Sequence, residues 1–259
     1  MGKMKIKILG AHNTETLRTR HTCLLIDDVL ALDAGSLTSK LSETGLSRLK
    51  AVLLTHSHYD HIRDIPALAI NLFLRSGSID IYTHQEVWNN LTAHLLNDII
   101  YPAYYKKPAD RPTLRFHLME HLKAIDIEDY TVLPVKVNHA IPTLGYQITS
   151  REGKSVFYTG DTGAGLAETW RSVSPDLLLI EVTASNRWEE KIKTNGHLTP
   201  NLLQQELTNF HDLKGYFPQT FTVHLSPGGE KEIKAELEQV GENLGIHIIP
   251  AHEGMQIQF

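Results

Sequence analysis

The amino-acid sequence predicts a globular domain of the α/β or layered α+β class, in which strands and helices alternate. Short apolar runs recur along the whole chain, and segments with helical periodicity separate them. Hydrophobic residues make up 41% of the 259 residues and charged residues 21%, which is enough to bury a sizeable core. Because no long linker or low-complexity segment interrupts the pattern, we expect one domain over residues 1–259.

Strands are expected where apolar and β-branched residues run for several positions and polar or turn residues stop them. Near the start of the chain Ile6 and Ile8 alternate with lysines, which is typical of a strand with one buried face. The predicted strands are Lys5–Leu9, Cys23–Ile26, Val29–Leu32, Ala51–Leu54, Ile79–Tyr82, Thr131–Val137, Tyr146–Ile148, Ser155–Tyr158, Leu177–Ile180, Thr220–Val223 and Ile246–Ile249.

Helices are expected where apolar residues recur every three or four positions. The segment that ends at Leu244 has this spacing most clearly, and it predicts a helix with one core-facing stripe. Thr199 followed by Pro200 is typical of a helix start, and Gly45 is expected to end the first helix. The predicted helices are Leu37–Thr44, Ile65–Leu74, Glu86–Asn97, Gly165–Val173, Pro200–Phe210 and Glu230–Leu244.

Charge and composition narrow the classes of function. The net charge is −5 and the basic residues are scattered, which argues against a nucleic-acid partner. A small anionic substrate stays compatible with this charge, because bound metal ions would supply local positive charge. The single cysteine, Cys23, excludes an internal disulfide and a thiolate metal cluster, and we expect it to pack in the core. No segment has the pattern of a secretory signal or a membrane span, so we expect a cytoplasmic protein without membrane association.

The stretch Tyr101–Pro112 is the most irregular part of the sequence. It contains three prolines and three tyrosines. A lid, a partner contact and a plain surface loop are all compatible with this composition.

The most informative segment is a dense cluster of metal-ligand types, His56-Ser57-His58-Tyr59-Asp60-His61. It follows the apolar run Ala51–Thr55, so a strand end would present it. Imidazole and carboxylate are ligands that divalent transition metals favour. Because four ligands at this density exceed the needs of one open catalytic site, the cluster predicts a centre for two ions.

Three further predicted strands end in residues of the same types. His139 follows Thr131–Val137, Asp161 follows Ser155–Tyr158, and His224 follows Thr220–Val223. Each could be an ordinary loop or turn residue when taken alone. Their shared position indicates a site on the rim of a sheet, where rigid strands hold short loops that aim the side chains. Glycines at 160 and 163 flank the aspartate and allow a tight backbone there.

Together these residues resemble the metallo-β-lactamase-fold hydrolases, in particular the group that contains ribonuclease Z and the class II 3′,5′-cyclic-nucleotide phosphodiesterases. The resemblance spans nearly the whole chain. The segments most similar to the class II cyclic-nucleotide phosphodiesterases are Ile180-Glu181-Val182-Thr183, Asn186-Arg187, Gly196-His197-Leu198-Thr199-Pro200, Asp33-Ala34-Gly35, Asn97-Asp98 and Tyr101-Pro102.

The resemblance implies a four-layer αββα sandwich with the site at one edge between two sheets. It implies that one metal is held by three histidines and a second by one aspartate and two histidines, with Asp161 bridging both. Zinc is the commonest occupant of such sites, and manganese or iron also suits a set of nitrogen and oxygen ligands. The first set is His56, His58 and His139, and the second set is Asp60, His61 and His224.

The activity that follows is hydrolysis of a phosphodiester, with a 3′,5′-cyclic nucleotide as the first choice of substrate. A hydroxide that bridges the two metals would attack phosphorus, and Asp60 would orient this nucleophile as well as bind metal. By similarity, His197 would protonate the leaving oxygen and Glu181 would orient His197. A neutral His197 bonded to backbone is the alternative interpretation of that residue.

Rival functions remain open at this point. A ribonuclease Z-like tRNA 3′-processing endonuclease would use the same ligands, although the acidic charge and the absence of a Gly-rich basic arm argue against it. A phosphodiesterase for another small cyclic phosphate, or a lactonase, would share the scaffold. The rival from another class is a non-catalytic metal-binding sensor. The resemblance also allows a homodimer.

Overall fold

Two seven-stranded sheets face each other and carry helices on their outer faces in a computed structural model that describes residues 4–259. Residues 1–3 of the predicted domain lie outside the described part. Among residues 4–259 no helix combines the length and apolar character needed to cross a bilayer. The strands are β1 (Lys5–Gly10), β2 (Cys23–Ile26), β3 (Leu30–Leu32), β4 (Ala51–Leu53), β5 (Ile79–Thr83), β6 (Leu114–Leu118), β7 (Ile125–Ile127), β8 (Tyr130–Lys136), β9 (Leu144–Ser150), β10 (Ser155–Tyr158), β11 (Leu177–Glu181), β12 (Gln219–Val223), β13 (Ile248–Pro250) and β14 (Gln256–Gln258).

The helices lie in two groups, one per sheet. A π-helical segment at Leu91–Leu95 continues the fifth helix, and short 3₁₀ turns at Asn186–Trp188 and Pro227–Gly229 precede the seventh and ninth. The helices are α1 (Leu37–Lys40), α2 (Glu43–Arg48), α3 (Tyr59–Ile62), α4 (Ile65–Phe73), α5 (Gln85–Asn90), α6 (Ala167–Ser172), α7 (Glu189–Thr194), α8 (Pro200–Lys214) and α9 (Glu230–Leu244).

The order of the strands brings several strand ends to one rim. The first sheet runs β14-β1-β2-β3-β4-β5-β6 and the second β13-β12-β11-β10-β9-β8-β7. Strands β3 to β6 are parallel to one another, and so are β10 to β13. Strand β8 is antiparallel to β9, which is antiparallel to β10, so β8 and β10 end at the same edge. Loops that follow these strands therefore meet at one side of the sandwich.

Three hydrophobic layers hold the sandwich together. The central layer lies between the sheets and contains Ile6 and Ile8 of β1 opposite Tyr146 and Tyr158 of the second sheet. A second layer packs α1 to α5 on the first sheet, and a third packs α6, α8 and α9 on the second. This arrangement confirms the predicted αββα sandwich. The core position predicted for Cys23 is also confirmed, since its side chain is fully buried.

The predicted single helix Leu37–Thr44 is wrong. The chain forms two short helices there, because Leu41 is extended and Ser42 begins α2 by accepting a hydrogen bond from the Gly45 N–H at 3.2 Å. Gly45 thus lies inside a helix and does not end one. The capping hydroxyl of Ser42 outweighs the cost of a helical glycine.

The strands that the sequence analysis missed are edges or short. Strands β14 and β6 border the first sheet and β7 borders the second. In β14 only Ile257 is buried, and in β6 charged Arg115 alternates with apolar residues. An edge strand buries few side chains, so the apolar run that identifies an inner strand is absent. The strand predicted at Ile246–Ile249 is displaced to Ile248–Pro250, because the Ile246 N–H belongs to the turn after α9 and donates to the Gly241 carbonyl oxygen at 3.0 Å.

Glu253, between the last two strands, fixes the segment that leads into β2. Its Oε1 atom accepts hydrogen bonds from His12 Nδ1 at 2.7 Å and from the Arg20 backbone N–H at 2.8 Å. Burial raises the pKa of Glu253, but the hydrogen bonds from His12 and Arg20 outweigh burial and lower the pKa to about 2. The fixed segment matters for the site, because Ala11 O accepts a hydrogen bond from Leu225 N at 3.1 Å, directly after β12.

Replacement Glu253→Gln tests this anchor. We expect the free energy of unfolding at pH 7 to fall by about 1–3 kcal/mol, because charged hydrogen bonds are lost. The folded pKa is about 2 and the ordinary value is 4.5, so the carboxylate stabilises the fold above pH 4.5 and loses this effect as the pH falls toward 2. The difference between wild type and variant in urea unfolding should therefore narrow below pH 4.5.

The exposed Glu238 on α9 provides the control for this measurement. Glu238→Gln should leave stability and its pH dependence unchanged. Equal pH dependence in the two variants would contradict the role of Glu253.

Candidate metal centre

The rim where strand ends meet holds all seven predicted metal ligands. His56 and His58 follow β4, Asp60 and His61 lie in α3, and the other three follow β8, β10 and β12. Ligand atoms of His56, His58, His139 and Asp161 lie within 4.8 Å of one another, and so do those of Asp60, His61 and His224. Residues distant in sequence therefore converge on one place.

Three imidazole nitrogens and one carboxylate form the first group. His58 Nδ1 lies 3.0 Å from His56 Nε2 and 3.2 Å from His139 Nε2. The Oδ2 atom of Asp161 lies 3.6 Å from His56 Nε2 and 3.9 Å from His139 Nε2. Four donor atoms thus surround one small space.

The second group shares Asp161 with the first. Asp60 Oδ2 lies 3.2 Å from His224 Nε2 and 3.6 Å from His61 Nε2. Asp161 Oδ1 lies 3.1 Å from His61 Nε2, and its Oδ2 lies 3.4 Å from His224 Nε2. One carboxylate therefore contacts both groups.

The donor atoms fit divalent ions in spacing and in chemistry. Ligands about 2.1 Å from a tetrahedral ion lie about 3.4 Å from each other, and the separations above are centred there. His61 Nε2 and Asp161 Oδ1 are buried and lie 3.1 Å apart, but neither makes a well-aligned hydrogen bond within residues 4–259. Because a buried polar atom without a hydrogen bond is costly, these two atoms fit the role of ligands to a shared cation.

Four of the histidines are oriented through their second ring nitrogen. Nδ1 of His56 lies 2.9 Å from Thr55 Oγ1, and Nδ1 of His61 lies 2.7 Å from Asp33 Oδ2. Nδ1 of His139 lies 2.8 Å from the Gly196 carbonyl oxygen. Nδ1 of His224 lies 2.8 Å from Thr183 Oγ1. An occupied Nδ1 directs the Nε2 lone pair into the centre, as a metal ligand requires.

The electrostatics of the centre favour a cation. Burial, together with neighbouring histidines, lowers the pKa of His56, and burial lowers that of His139, so both rings are neutral and able to bind metal. Burial also lowers the pKa of His61, but the carboxylates of Asp161 and Asp33 outweigh it and raise the pKa. The same negative charge would attract a divalent ion.

Glycines allow the ligand loops to approach one another. Gly160 has a φ of +62°, and a Cβ atom on it would lie 2.8 Å from the side chain of Thr55. A Cβ atom on Gly35 would lie 2.2 Å from the carbonyl oxygen of Asp60. A larger residue at either place would push the loops that carry His56 and Asp60 apart.

A pair formed by the buried Glu181 and the partly buried His197 lies beside the candidate metal ligands. His197 Nδ1 lies 2.6 Å from Glu181 Oε1, and the His197 ring stacks on the His224 ring at a centroid distance of 5.4 Å. Burial lowers the pKa of His197, but the charge of Glu181 and its hydrogen bond outweigh burial and raise the pKa to about 9. Nδ1 of His197 thus faces a carboxylate and not a backbone group.

Sequence reasoning gave no individual role to several groups that support the ligands. The fully buried Asp33 accepts hydrogen bonds from Thr55 N at 2.8 Å, Thr55 Oγ1 at 3.0 Å, His61 Nδ1 and Tyr158 OH at 2.8 Å. Thr183 contacts Glu181 and His224. The available signal was their position, since Asp33 and Thr55 directly follow predicted strands that end at this rim.

The Beta-lactamase superfamily domain matches residues 22–225 of the chain, which include all seven candidate ligands. The chain belongs to the beta-lactamase superfamily. It is a metallo-hydrolase of this fold, and proteins with the metallo-β-lactamase fold typically bind two divalent metals. Membership confirms the resemblance to metallo-β-lactamase-fold hydrolases that the sequence analysis described.

Curated relatives match part of the chain. Ribonuclease Z of Thermococcus kodakarensis is 29% identical over 136 residues, which are 50% of this chain and 40% of that protein. An octanoyltransferase of Porphyromonas gingivalis is 28% identical over 159 residues, which are 59% of this chain and 30% of that protein. The chain thus spans less than half the length of these two relatives.

Solved structures match the whole chain. Yeast PDE1 superposes with a TM-score of 0.85 and 17% identity, and the metallo-beta-lactamase fold protein YhfI of Bacillus subtilis superposes with a TM-score of 0.78 and 20% identity. Both matches cover 100% of this chain and of the other chain. These similarities establish that this superfamily member shares their fold.

Replacement Asp33→Asn tests the link between the buried carboxylate and the metal ligands. We expect about a 10–100-fold loss of Zn²⁺ affinity, because His61 loses the acceptor that orients it. Competition between the protein and a chelating indicator for Zn²⁺ measures this affinity.

Asp64→Asn is the matched control, since Asp64 is a buried carboxylate that contacts Thr38 and Arg63. It should leave Zn²⁺ affinity unchanged. An equal loss of affinity in both variants would show that Asp33 acts through general stability alone.

Proposed function

We propose that this protein is a metal-dependent phosphodiesterase that hydrolyses a 3′,5′-cyclic nucleotide. The observation that carries the proposal is the Glu181–His197 pair, which lies directly against the metal ligand His224. A site that only stores metal has no use for an acid–base pair at its edge. Hydrolysis of a ribose phosphodiester does need one, because the leaving alkoxide must be protonated.

The seven candidate ligands would hold two metal ions. His56, His58 and His139 would hold one divalent ion, and Asp60, His61 and His224 would hold the second, with Asp161 contacting both. When bound, two such ions would lower the pKa of a bound water and polarise the phosphoryl oxygens. Zinc is our first choice, and manganese or iron suits the same nitrogen and oxygen donors.

Asp60 is the candidate for orienting the nucleophilic water. Burial raises the pKa of Asp60, but His61 and His224 outweigh it and lower the pKa, so the carboxylate stays ionised. Its side chain is 22% exposed, whereas that of Asp161 is 3% exposed. Asp60 is therefore the metal-ligand carboxylate that water can reach most easily, and it can accept a hydrogen bond from that water.

His197 is the candidate proton donor. Glu181 is fully buried and accepts further hydrogen bonds from Thr162 N at 3.0 Å and Thr183 Oγ1 at 2.8 Å, which fix its carboxylate. A fixed Glu181 holds Nδ1 of His197 and leaves Nε2 free to face a substrate. The His197 side chain is 16% exposed, so a leaving oxygen can approach it.

The choice of a cyclic nucleotide is supported by the segments around Glu181 and His197 that resemble class II cyclic-nucleotide phosphodiesterases. The full-length overlap with yeast PDE1 is compatible with it. A second candidate, cleavage of tRNA precursors, is favoured by the match to ribonuclease Z over half of the chain. The net charge of −5 weakens this second candidate, because long-range attraction to RNA would be small.

Metal removal provides the first test of the proposal. Chelator-treated protein should lose hydrolysis of bis-p-nitrophenyl phosphate and of 3′,5′-cyclic nucleotides, and added Zn²⁺ or Mn²⁺ should restore both. Cleavage of a tRNA precursor in place of the cyclic nucleotides would favour the ribonuclease Z-like function. Metal-bound protein that hydrolyses none of these substrates would indicate a sensor.

Replacement His197→Ala tests the proton donor with two substrates that differ in leaving group. We expect cyclic-nucleotide hydrolysis to fall by about 10²–10⁴-fold, because the ribose alkoxide loses its acid. Hydrolysis of bis-p-nitrophenyl phosphate should fall far less, since p-nitrophenolate leaves without a proton at neutral pH. Turnover of both substrates at saturating Zn²⁺ gives the comparison.

The exposed His211 on α8 supplies the control variant, His211→Ala, which should behave as wild type. Metal content is measured alongside turnover. Equal losses on both substrates, or loss of bound metal from His197→Ala, would assign His197 to the metal centre and not to proton transfer.

A further inference from the structure

The hydroxyl of Thr183 lies at the junction of the metal ligands and the acid–histidine pair. It is 2.8 Å from Glu181 Oε2, 2.8 Å from His224 Nδ1 and 3.3 Å from His197 Nδ1. The Thr183 residue is 6% exposed, so water does not compete effectively for these contacts.

The single hydroxyl hydrogen determines the direction of each hydrogen bond. An ionised Glu181 can only accept, so Thr183 Oγ1 donates its hydrogen to Glu181 Oε2. The oxygen must then accept from His224, which places a hydrogen on Nδ1 of that ring. With Nδ1 held by Thr183, Nε2 is the ring nitrogen of His224 left to bind a metal ion, and it lies 3.2 Å from Asp60 Oδ2.

The backbone of Thr183 joins the same two loops. Its N–H donates to the Leu198 carbonyl oxygen at 3.0 Å, next to His197. Its own carbonyl oxygen accepts from Ser226 N at 3.0 Å, close to His224. Side chain and backbone thus hold the His197 loop and the His224 loop in one arrangement.

A second threonine shows the same arrangement at the first metal group. Thr55 Oγ1 lies 3.0 Å from Asp33 Oδ2 and 2.9 Å from His56 Nδ1, so a buried carboxylate again fixes a histidine through a hydroxyl. Thr183 differs from Thr55 because it also touches the candidate proton donor.

We propose that Thr183 is a positioning residue with two effects. It sets the affinity of the second ligand group, Asp60, His61 and His224, for its metal ion, and it holds the Glu181–His197 pair against that group. The hydroxyl fixes the ring of His224 for metal binding and the carboxylate of Glu181 for its contact with His197. The part that concerns proton transfer rests on the proposed function, whereas the part that concerns metal affinity does not.

The experiment compares Thr183→Val, Thr183→Ser and the control Thr222→Val. Valine keeps the shape of threonine and removes the hydroxyl, and serine keeps the hydroxyl. Thr222 is a fully buried threonine on β12, two positions before His224, and its hydroxyl has no partner within the described chain. The control therefore removes a hydroxyl from the same core without breaking a hydrogen bond to a carboxylate or a histidine.

Zn²⁺ titration of metal-free protein against a chelating indicator measures the two binding steps. We expect Thr183→Val to weaken one of the two steps by about 10–100-fold, the range found when a group behind a metal ligand is lost. The other step should stay close to wild type, and so should both steps in Thr183→Ser and Thr222→Val. Equal weakening of both steps in Thr183→Val, or wild-type affinity, would overturn the proposal.

Nitrogen-15 NMR of the zinc-loaded wild type tests the proton placement without a variant, in case Thr183→Val does not fold. We expect His224 to carry a slowly exchanging hydrogen on Nδ1 and to bind zinc through Nε2. Zinc on Nδ1 of His224 would overturn the proposal.

Turnover at saturating Zn²⁺ separates this proposal from the proposed function. Thr183→Val should lose more activity on a cyclic nucleotide than on bis-p-nitrophenyl phosphate, because the proton donor is displaced. If the wild type hydrolyses neither substrate, the proposed function fails, and the zinc titration still decides the role of Thr183 in metal affinity.

Discussion

The buried carboxylate of Asp33 connects the two sheets beneath the metal centre, and the placement of the surrounding groups depends on this connection. Asp33 follows β3 of the first sheet, accepts a hydrogen bond from Tyr158 of the second sheet and orients His61. A carboxylate buried without donors would cost several kcal/mol, so all of its donors must be in place in the folded protein. The need of Asp33 for all of its hydrogen-bond donors therefore fixes the two sheets relative to each other and also orients the candidate ligands toward one point.

Negative charge is concentrated at this rim to a degree that the overall charge of −5 does not convey. Asp33, Asp60, Asp161 and Glu181 lie within one network of hydrogen bonds and histidine contacts. Such a set of carboxylates is stable only with compensating positive charge, which protonated histidines supply in part and divalent ions would supply in full. The same ions would let an acidic protein attract an anionic phosphodiester.

The residue pattern predicted a layered domain of strands and helices with candidate ligands at a sheet rim, because inner strands such as Ala51–Leu53 are continuous apolar runs and the candidate ligands follow them. The four-layer sandwich was predicted from the family resemblance. Sequence reasoning did not predict edge strands such as Gln256–Gln258, where one buried residue leaves no pattern. It also gave no individual role to Thr183, because a threonine after a strand has many ordinary uses. Only the fold places its hydroxyl between Glu181 and His224, because His224 lies 41 positions after Thr183 in the sequence.

Anomalous diffraction from crystals of the zinc-loaded protein tests the central claim most directly, since it locates the ions independently of any activity. The account predicts two peaks, each about 2.0–2.2 Å from its protein ligands. One should lie among His56 Nε2, His58 Nδ1 and His139 Nε2, and the other beside the second group, with Asp161 touching both. Absence of zinc from this rim, or peaks at other residues, would contradict the account.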